Sequence, residues 1–293
     1  MHYFLAEVIN GLQLGLVYAL IALGYTMVYG IVKLINFAHG DVFMVGSFVG
    51  YFGFRAGLPW PVAILAAMAV CAVVGVVIEK LAYRPLRYAP KIAALISALG
   101  VSLFLEYFTS LKFVFGPDYL VVHSPLRQVE WHLGGVTITN IQVLIFAVVV
   151  VMLVLLQYII YRTKVGTAMR AVSFDHDAAR LMGINVDGII SVTFAIATAL
   201  AGAGGVLYAI AYPEIWTFMG IMPGLKAFTA AVLGGIGIVP GAVLGALIMG
   251  QVETMTAAFL SSTLRDAIAF AVLILVLLIR PSGILGKHRP EKV

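Results

Sequence analysis

Residues 8–32, 56–78, 136–160 and 188–213 each run for more than twenty positions without a single Asp, Glu, Lys or Arg. A helix needs about 20 mostly apolar residues to cross the hydrocarbon of a bilayer, and each of these runs supplies them. No other feature of the chain constrains its fold so tightly. Composition agrees: 62% of the 293 residues are hydrophobic and 11% are charged, against roughly 45–50% and about 25% in soluble domains. A soluble fold of this length needs a polar coat, and this chain has none to offer. A soluble enzyme, a secreted disulfide scaffold and a disordered tail are excluded.

Further segments are less clean. Residues 92–111 carry Glu106, and 34–54 carry Asp41; 227–250 are uncharged but broken by Gly-Gly-Ile-Gly-Ile-Val-Pro-Gly; 267–279 are short and extend backwards past Asp266 and Arg265. The expected fold is therefore all-α, a polytopic transmembrane helical bundle with about eight membrane segments in a single domain, 1–293. The first segment is too long for a cleavable signal, and its flank lacks Lys and Arg. Net charge is +5, but the basic residues sit in clusters between apolar runs, which reads as membrane topology and not as nucleic-acid binding. Lys80, Arg84, Arg87 and Lys91 form one cluster, Arg162, Lys164, Arg170 and Arg180 a second, and Arg280, Lys287, Arg289 and Lys292 a third. All three are expected on the cytoplasmic side. Three apolar segments separate the second from the third, and an odd number of crossings cannot return the chain to one side. If 224–256 dips in and comes back out, parity is restored, with the N-terminus outside and the C-terminus inside. Glycine and proline make a break there natural, and such backbone must be covered by protein or a cavity. The rival is eight full crossings with one cluster on the wrong side.

Small residues recur at helical spacing, Gly11, Gly15 and Ala19 early and Ala242, Ala246 and Gly250 late, a pattern that lets helix backbones approach closely. Tyr18, Tyr25 and Tyr29 share another face of the first helix and either pack or line a path. Asn36, His39 and Asp41 fall together between apolar helices. Polar groups there are costly unless partnered or wet, so they mark either a tight turn with a helix cap or part of a gate. With them, Tyr18, Gly235 and Gly237 complete a candidate translocation path. The loop 161–187 contains Arg170, then Asp175 and Asp177 ahead of Ala178–Met182, with Gly183 as a stop: a short helix with acids at its start. Leu181, Met182 and Ile184 are apolar residues in a stretch that should face water. They suit either a protein partner or the bilayer surface. The chain has no phosphate-binding G-x-x-x-x-G-K-[ST], no H-E-x-x-H and no clustered histidines, and its one cysteine, Cys71, lies in an apolar run. No cofactor or metal is implied. Without a polar catalytic cluster a membrane enzyme lacks its parts, whereas a channel or secondary carrier would need its own gate and coupling ion.

The opening NGLQLGLVYALIALGYTMVYGIVKLINFAHGDVFMVGS, with EKLAYRPLR, ALISALGVSLFL, KAFTAAVLGGIGIVPGAVLGALIMG and LLILVLLIRPSGILGK, closely resembles the permease subunits of bacterial ABC importers for branched-chain amino acids, most nearly the smaller, LivH-type subunit. The likeness runs from Asn10 to the C-terminus. It implies a multi-pass protein of the bacterial inner membrane, working by alternating access with a second permease as heterodimer partner, two cytoplasmic ATP-binding subunits and a periplasmic substrate-binding protein. Related permeases carry urea or short amides. The loop 166–187 corresponds to the family's ATPase-coupling segment, so the resemblance assigns Arg170, Asp175, Asp177, Arg180, Leu181, Met182 and Gly183 to that contact. Phe174–Ala179 depart from the Glu-Ala-Ala of other importers, while Gly183 keeps the family's glycine.

Overall fold

A computed structural model describes residues 2–87, 89–133 and 136–286. Gly134, Gly135, Lys287, Arg289 and Lys292 lie outside the described residues. Eleven α-helices are described: α1 (His2–Val32), α2 (His39–Arg55), α3 (Trp60–Ile78, continued by a π-turn through Glu79–Tyr83), α4 (Lys91–Thr109), α5 (Asn140–Arg162), α6 (Lys164–Phe174), α7 (His176–Leu181), α8 (Val186–Ala211), α9 (Ile221–Gly234), α10 (Val239–Phe259) and α11 (Arg265–Ile279). Seven helical stretches among the described residues are long and apolar enough to cross a membrane; α9, at 14 residues, is a shorter apolar helix, and α2 has 17.

The centre of the bundle is α1, α2 and α8. The most apolar 18-residue window of α1 is 83% buried and that of α8 is 67%, against 22% for α4, 17% for α5 and 6% for the last span. The peripheral helices turn Leu103, Phe104, Val151, Val154 and Leu278 outward, as expected of surfaces that meet lipid or another subunit, since no water need be faced there.

The two rows of small residues meet each other. Helices α1 and α10 form the most extensive helix pair: a Cβ on Gly15 would stand 2.9 Å from the Ala246 carbonyl oxygen, and one on Gly250 would fall 2.5 Å from the Gly11 carbonyl oxygen. Hydrocarbon offers little hydrophobic drive between helices, so close backbone packing carries the association. The pairs also fix direction. Gly11 sits by Gln251 and Gly30 by Gly237, so α10 runs antiparallel to α1.

The chain's two ends of the bundle are chemically distinct. At one, Arg84 and Arg87 reach Asp187 at the start of α8, His176 meets the Ile31 carbonyl at the end of α1, and Gly235 packs against Gly286 beyond α11. The basic clusters 79–91 and 161–187 and the start of the third therefore share one end, as the charge pattern requires. The break expected within 224–256 separates two helices, α9 and α10, joined at Gly235–Ile238, a helix pair as the charge pattern required. The pair enters and leaves at the opposite end, which restores parity, but it reaches the basic end and is no shallow dip, and the break lies beside the ends of α1 and α11 and not at mid-depth. The apolar pattern extends past both sides of the break, to Ile221 and to Phe259, which lets α10 alone reach 21 residues.

The stretch 112–135, between α4 and α5, carries strand pairing. Strand β1 (Leu120–Val121) pairs antiparallel with β4 (Glu214–Ile215), and β2 (Glu130–Leu133) with β3 (Val136–Thr139). The β2–β3 pair takes the first residues of the expected 136–160 span, so α5 starts at Asn140, with Thr139 and Gln142 forming a capping box. Alternation in Trp131–Leu133 and Val136–Ile138 around two glycines is a hairpin signal that apolar run length obscures.

Candidate functional site

The residues expected to line a path do not form one site. Asn36 is buried and accepts a hydrogen bond from the Tyr83 hydroxyl at 3.1 Å. It does not cap α2 through its side chain, although its carbonyl receives the His39 N–H. His39 is buried against the Tyr25 ring, centroids 4.8 Å apart, and neither ring nitrogen has a well-formed hydrogen bond. Asp41, in the first turn of α2 where a carboxylate complements the helix dipole, receives the Ser102 hydroxyl and lies beside Glu106 of α4. These three thus staple the start of α2 to α1, α3 and α4. Gly235 and Gly237 lie in the α9–α10 turn, with φ of +109° and +90°, and pack against Gly286 and Gly30. Gly237 lines a cavity of about 300 Å³ at the basic end, shared with Gly30 of α1 and Arg170 of α6.

Their surroundings separate the two glycines. A Cβ at Gly235 would stand 2.8 Å from the Gly286 nitrogen, whereas one at Gly237 would meet only the Gly30 Cα at 3.8 Å. Both would suffer the unfavourable dihedrals, of order 1–3 kcal/mol, but only the first also breaks packing. Gly235→Leu is expected to reduce transport at least tenfold while the protein still inserts, and Gly237→Leu to be milder. Uptake assays on both variants, normalised to membrane content, check the order; equal activities would contradict it.

Tyr18 belongs elsewhere. Its hydroxyl donates to Glu253 at 3.0 Å, and Glu253 is held by Lys226 at 2.7 Å and approached by Arg265 at 3.1 Å; Lys226 also meets Asp266 at 2.6 Å. Lys226 and Glu253 are 2% and 1% exposed. This ionic cluster joins α1, α9, α10 and α11. Lys226 and Glu253 flank an apolar run, where charge looks like the run's solvated end, so hydropathy alone does not reveal the cluster. Opposite charges at the two ends of a hairpin are brought together by antiparallel packing, which was the available signal. Glu253 and Arg265 border a cavity of about 870 Å³ at the end away from the basic clusters.

At the basic end, Arg87 bridges Glu79 at 2.8 Å and Asp187, and Ser191 donates to Glu79 at 2.7 Å. The glutamate and arginines of EKLAYRPLR thus fasten the end of α3 to the start of α8, beyond any bias they give to topology. The short helix α7 is where Asp175–Met182 places it. Asp175 accepts from the Asp177 and Ala178 amides at 2.8 and 2.9 Å, and these bonds hold its carboxyl below the usual carboxylate range. Because the folded value is depressed, the cap is intact above the ordinary carboxylate pKa and is lost only as pH falls through the lower folded value. Gly183, at φ +80°, ends the helix. Arg170 turns back to the Ile160 carbonyl and the Tyr161 ring, and Asp177 pairs with Arg180 at 3.5 Å. Leu181 and Met182 are 89% and 81% exposed. Ile184 is not part of that face: it is half-buried against the core. Phe174, which spacing did not single out, is as exposed as Met182.

The family model of the branched-chain amino acid transport system permease component matches residues 7–277. The chain is 44% identical over 305 residues to the high-affinity branched-chain amino acid transport system permease protein LivH of Escherichia coli K12, covering 99% of this chain and 98% of that one. It is 43% identical to the corresponding protein BraD of Pseudomonas aeruginosa PAO1, covering 100% and 99%. With the probable branched-chain amino acid transport permease protein LivH of Methanocaldococcus jannaschii it shares 31% over 91% of this chain and 88% of that one.

Proposed function

This chain belongs to the family of permease components of branched-chain amino acid transport systems, and from that membership we propose that it forms half of the pathway of an ATP-driven importer for leucine, isoleucine and valine. A second permease completes the pathway, two cytoplasmic ATP-binding subunits hydrolyse the nucleotide, and a periplasmic protein delivers the substrate. The basic end of the bundle faces the cytoplasm of a bacterial cell whose inner membrane holds the complex. The observation that carries the reading is the placement of α7. Its exposed apolar residues project from the basic end, while His176 at its start meets the Ile31 carbonyl at 3.0 Å, so a push on α7 reaches the end of the most buried helix. Gly30, one residue away, faces the α9–α10 turn. Alternating access then consists of a relative movement of α1 and that hairpin driven from the coupling helix.

Reconstitution with each component omitted in turn tests the assignment. Labelled leucine, isoleucine and valine are expected to accumulate only when permeases, ATPases, binding protein and ATP are all present. Uptake by the permeases alone would mean a channel or secondary carrier, and transport of urea or a short amide in preference would move the substrate within the class.

Sidedness has its own check. Arg84, Lys164 and Asp118 are exposed and Cys71 is buried, so single cysteines at the three positions in a Cys71→Ala background report topology. A membrane-impermeant maleimide applied to intact spheroplasts should label position 118 and spare 84 and 164. The reverse pattern would invert the bundle.

A further inference from the structure

The cavity of about 300 Å³ at the basic end lies where α1, α5, α6 and the start of α10 meet. We propose that it is a binding site for a phosphate group, held by the open amides at the start of α10, the Thr26 hydroxyl and the Arg170 guanidinium. Two kinds of donor on its walls lack a protein partner. The start of α10 has no side-chain cap, and the Gly237 and Val239 amides make no hydrogen bond among the described residues; both residues line the cavity. Open amides at the positive end of a helix dipole favour an anion. Thr26, on the α1 wall, is 1% exposed, and its Oγ1 has no partner either. A buried hydroxyl left unpaired is costly, and an acceptor inside the cavity removes that cost. The two walls are close together. A Cβ on Gly30 or Gly237 would come within 3.8 Å of the other's Cα, and Thr26 lies one turn from Gly30 on the same face of α1. Arg170 donates to the Ile160 carbonyl and stacks over the Tyr161 ring, 5.6 Å from its centre. Ile160 and Tyr161 are themselves cavity walls, so the guanidinium head sits at the edge of the space. Its bonds to Ile160 and to Thr167, the latter at 3.3 Å, leave other N–H groups of the fork unused.

Charge and shape select the ligand. No carboxylate lines the cavity, and Arg170 is the only charged side chain that does. Lys33 stands at the same edge, its ammonium on the Gly30 carbonyl at 3.0 Å. The acids next along the chain, Asp175 and Asp177, are occupied within α7 by the cap and the Arg180 pair. The helix start adds about half a positive charge, and a phosphate monoester carries about 1.5 to 2 negative charges near neutral pH, so the anion is matched without a counter-ion. The donors come from α1, α6 and α10, on different sides of the space. A tetrahedral oxyanion presents acceptor oxygens in all of those directions, whereas a carboxylate presents them on one side only. Inorganic phosphate and the head group of an anionic lipid share this chemistry. Either occupant touches α1, α6 and α10 together and so holds the contact between α1 and the α9–α10 hairpin. That consequence rests on the import reading above; the site does not.

The test reads the cavity locally. Ser173 lines it, so Ser173→Cys in a Cys71→Ala background puts a thiol on its wall, and the rate of maleimide labelling of the complete complex in nanodiscs reports whether the space is filled. In nanodiscs of phosphatidylcholine alone, inorganic phosphate should slow labelling several-fold relative to chloride at equal ionic strength. Slowing by phosphatidylglycerol in the nanodisc, with no phosphate added, assigns the site to a lipid head group; slowing by phosphate alone assigns it to the free anion. Arg170→Gln should raise the concentration for half protection about tenfold, through loss of a charge-assisted bond, and Thr26→Val should raise it a fewfold. Thr26→Val is isosteric and removes only the unpaired hydroxyl, so it stays informative if Arg170→Gln disturbs α6. No protection by phosphate or by phosphatidylglycerol, equal protection by chloride, or protection that both variants keep unchanged would overturn the site. If protection follows this pattern but phosphate slows leucine uptake no more in wild type than in Thr26→Val, the site stands and its hold on the hairpin fails. A complex that moves no leucine at all sinks the import reading and leaves the labelling result intact.

Discussion

Glu253→Leu should lower the melting temperature of the purified permease by several degrees. It leaves Lys226, 2% exposed, and Arg265 with only Asp266 between them. Removing one partner of a buried ion pair typically costs about 3–5 kcal/mol, mostly the penalty on the charge left behind. The lower end applies, because Asp266 still meets Lys226 at 2.6 Å. The Tyr18 hydroxyl also loses its acceptor, worth about 1 kcal/mol. At roughly 2–4 °C per kcal/mol for a chain of this size, the shift is well outside error. The instructive control is the pair Lys226→Met with Glu253→Leu. The single variant carries one excess positive charge in the cluster; the double variant is neutral again, with Arg265 and Asp266 still opposed. Because apolar replacement of a buried pair is often neutral in stability, the double variant should recover most of the loss. A double variant no more stable than Glu253→Leu would show that the cluster acts through packing and not through charge compensation.

That cluster marks the boundary between what could be read from the sequence and what could not. Membrane spans, a break within Gly234–Gly241, the short capped helix at Asp175–Met182 and the common end of the first two basic clusters follow from local patterns of hydropathy, capping and charge, each readable within a few tens of residues. The pairing of Gly15 with Ala246 was half legible: both small-residue rows are visible, but that each is the other's partner is a tertiary fact. Lys226 and Glu253 were overlooked because charge at the edge of an apolar run looks like its solvated end. It becomes buried only when α9 and α10 fold against each other and α11 closes over them. His39 and Asp41 were recognised as costly in a membrane, and the structure places them in the packing of α2 against α1 and α4, on no cavity shared with Gly237. Ile184 shows the limit of composition in a loop: its apolar side chain turns to the core, whereas Leu181 and Met182, three and two positions earlier, turn away.

The outward turn of those two residues bears directly on coupling. Leu181→Asp combined with Met182→Asp is expected to abolish uptake and to strip the ATPases from the purified complex. At 89% and 81% exposure they touch little of their own chain, so the substitutions should change the permease's stability by no more than about 0.5 kcal/mol, and its membrane content should match wild type. Apolar side chains so exposed on a short capped helix have the geometry of anchors that fill a partner's pocket. Truncating such an anchor commonly costs about 2 kcal/mol or more, and a carboxylate in its place adds desolvation. Two anchors together weaken association by roughly a thousandfold, enough to dissociate the complex during purification. The rim behaves differently. Arg180 meets Asp177 at 3.5 Å with the aspartate 90% exposed, and exposed pairs contribute about 0–1 kcal/mol, so Arg180→Ala should keep the ATPases bound and reduce uptake only a fewfold. A helix that merely rests on the bilayer surface would give another result: the double aspartate variant would loosen from lipid yet retain its ATPases and its substrate-stimulated hydrolysis. Co-purification stoichiometry and stimulated hydrolysis, measured on the same preparation, decide between the two. Full retention of both would mean that energy enters this permease through some element other than α7.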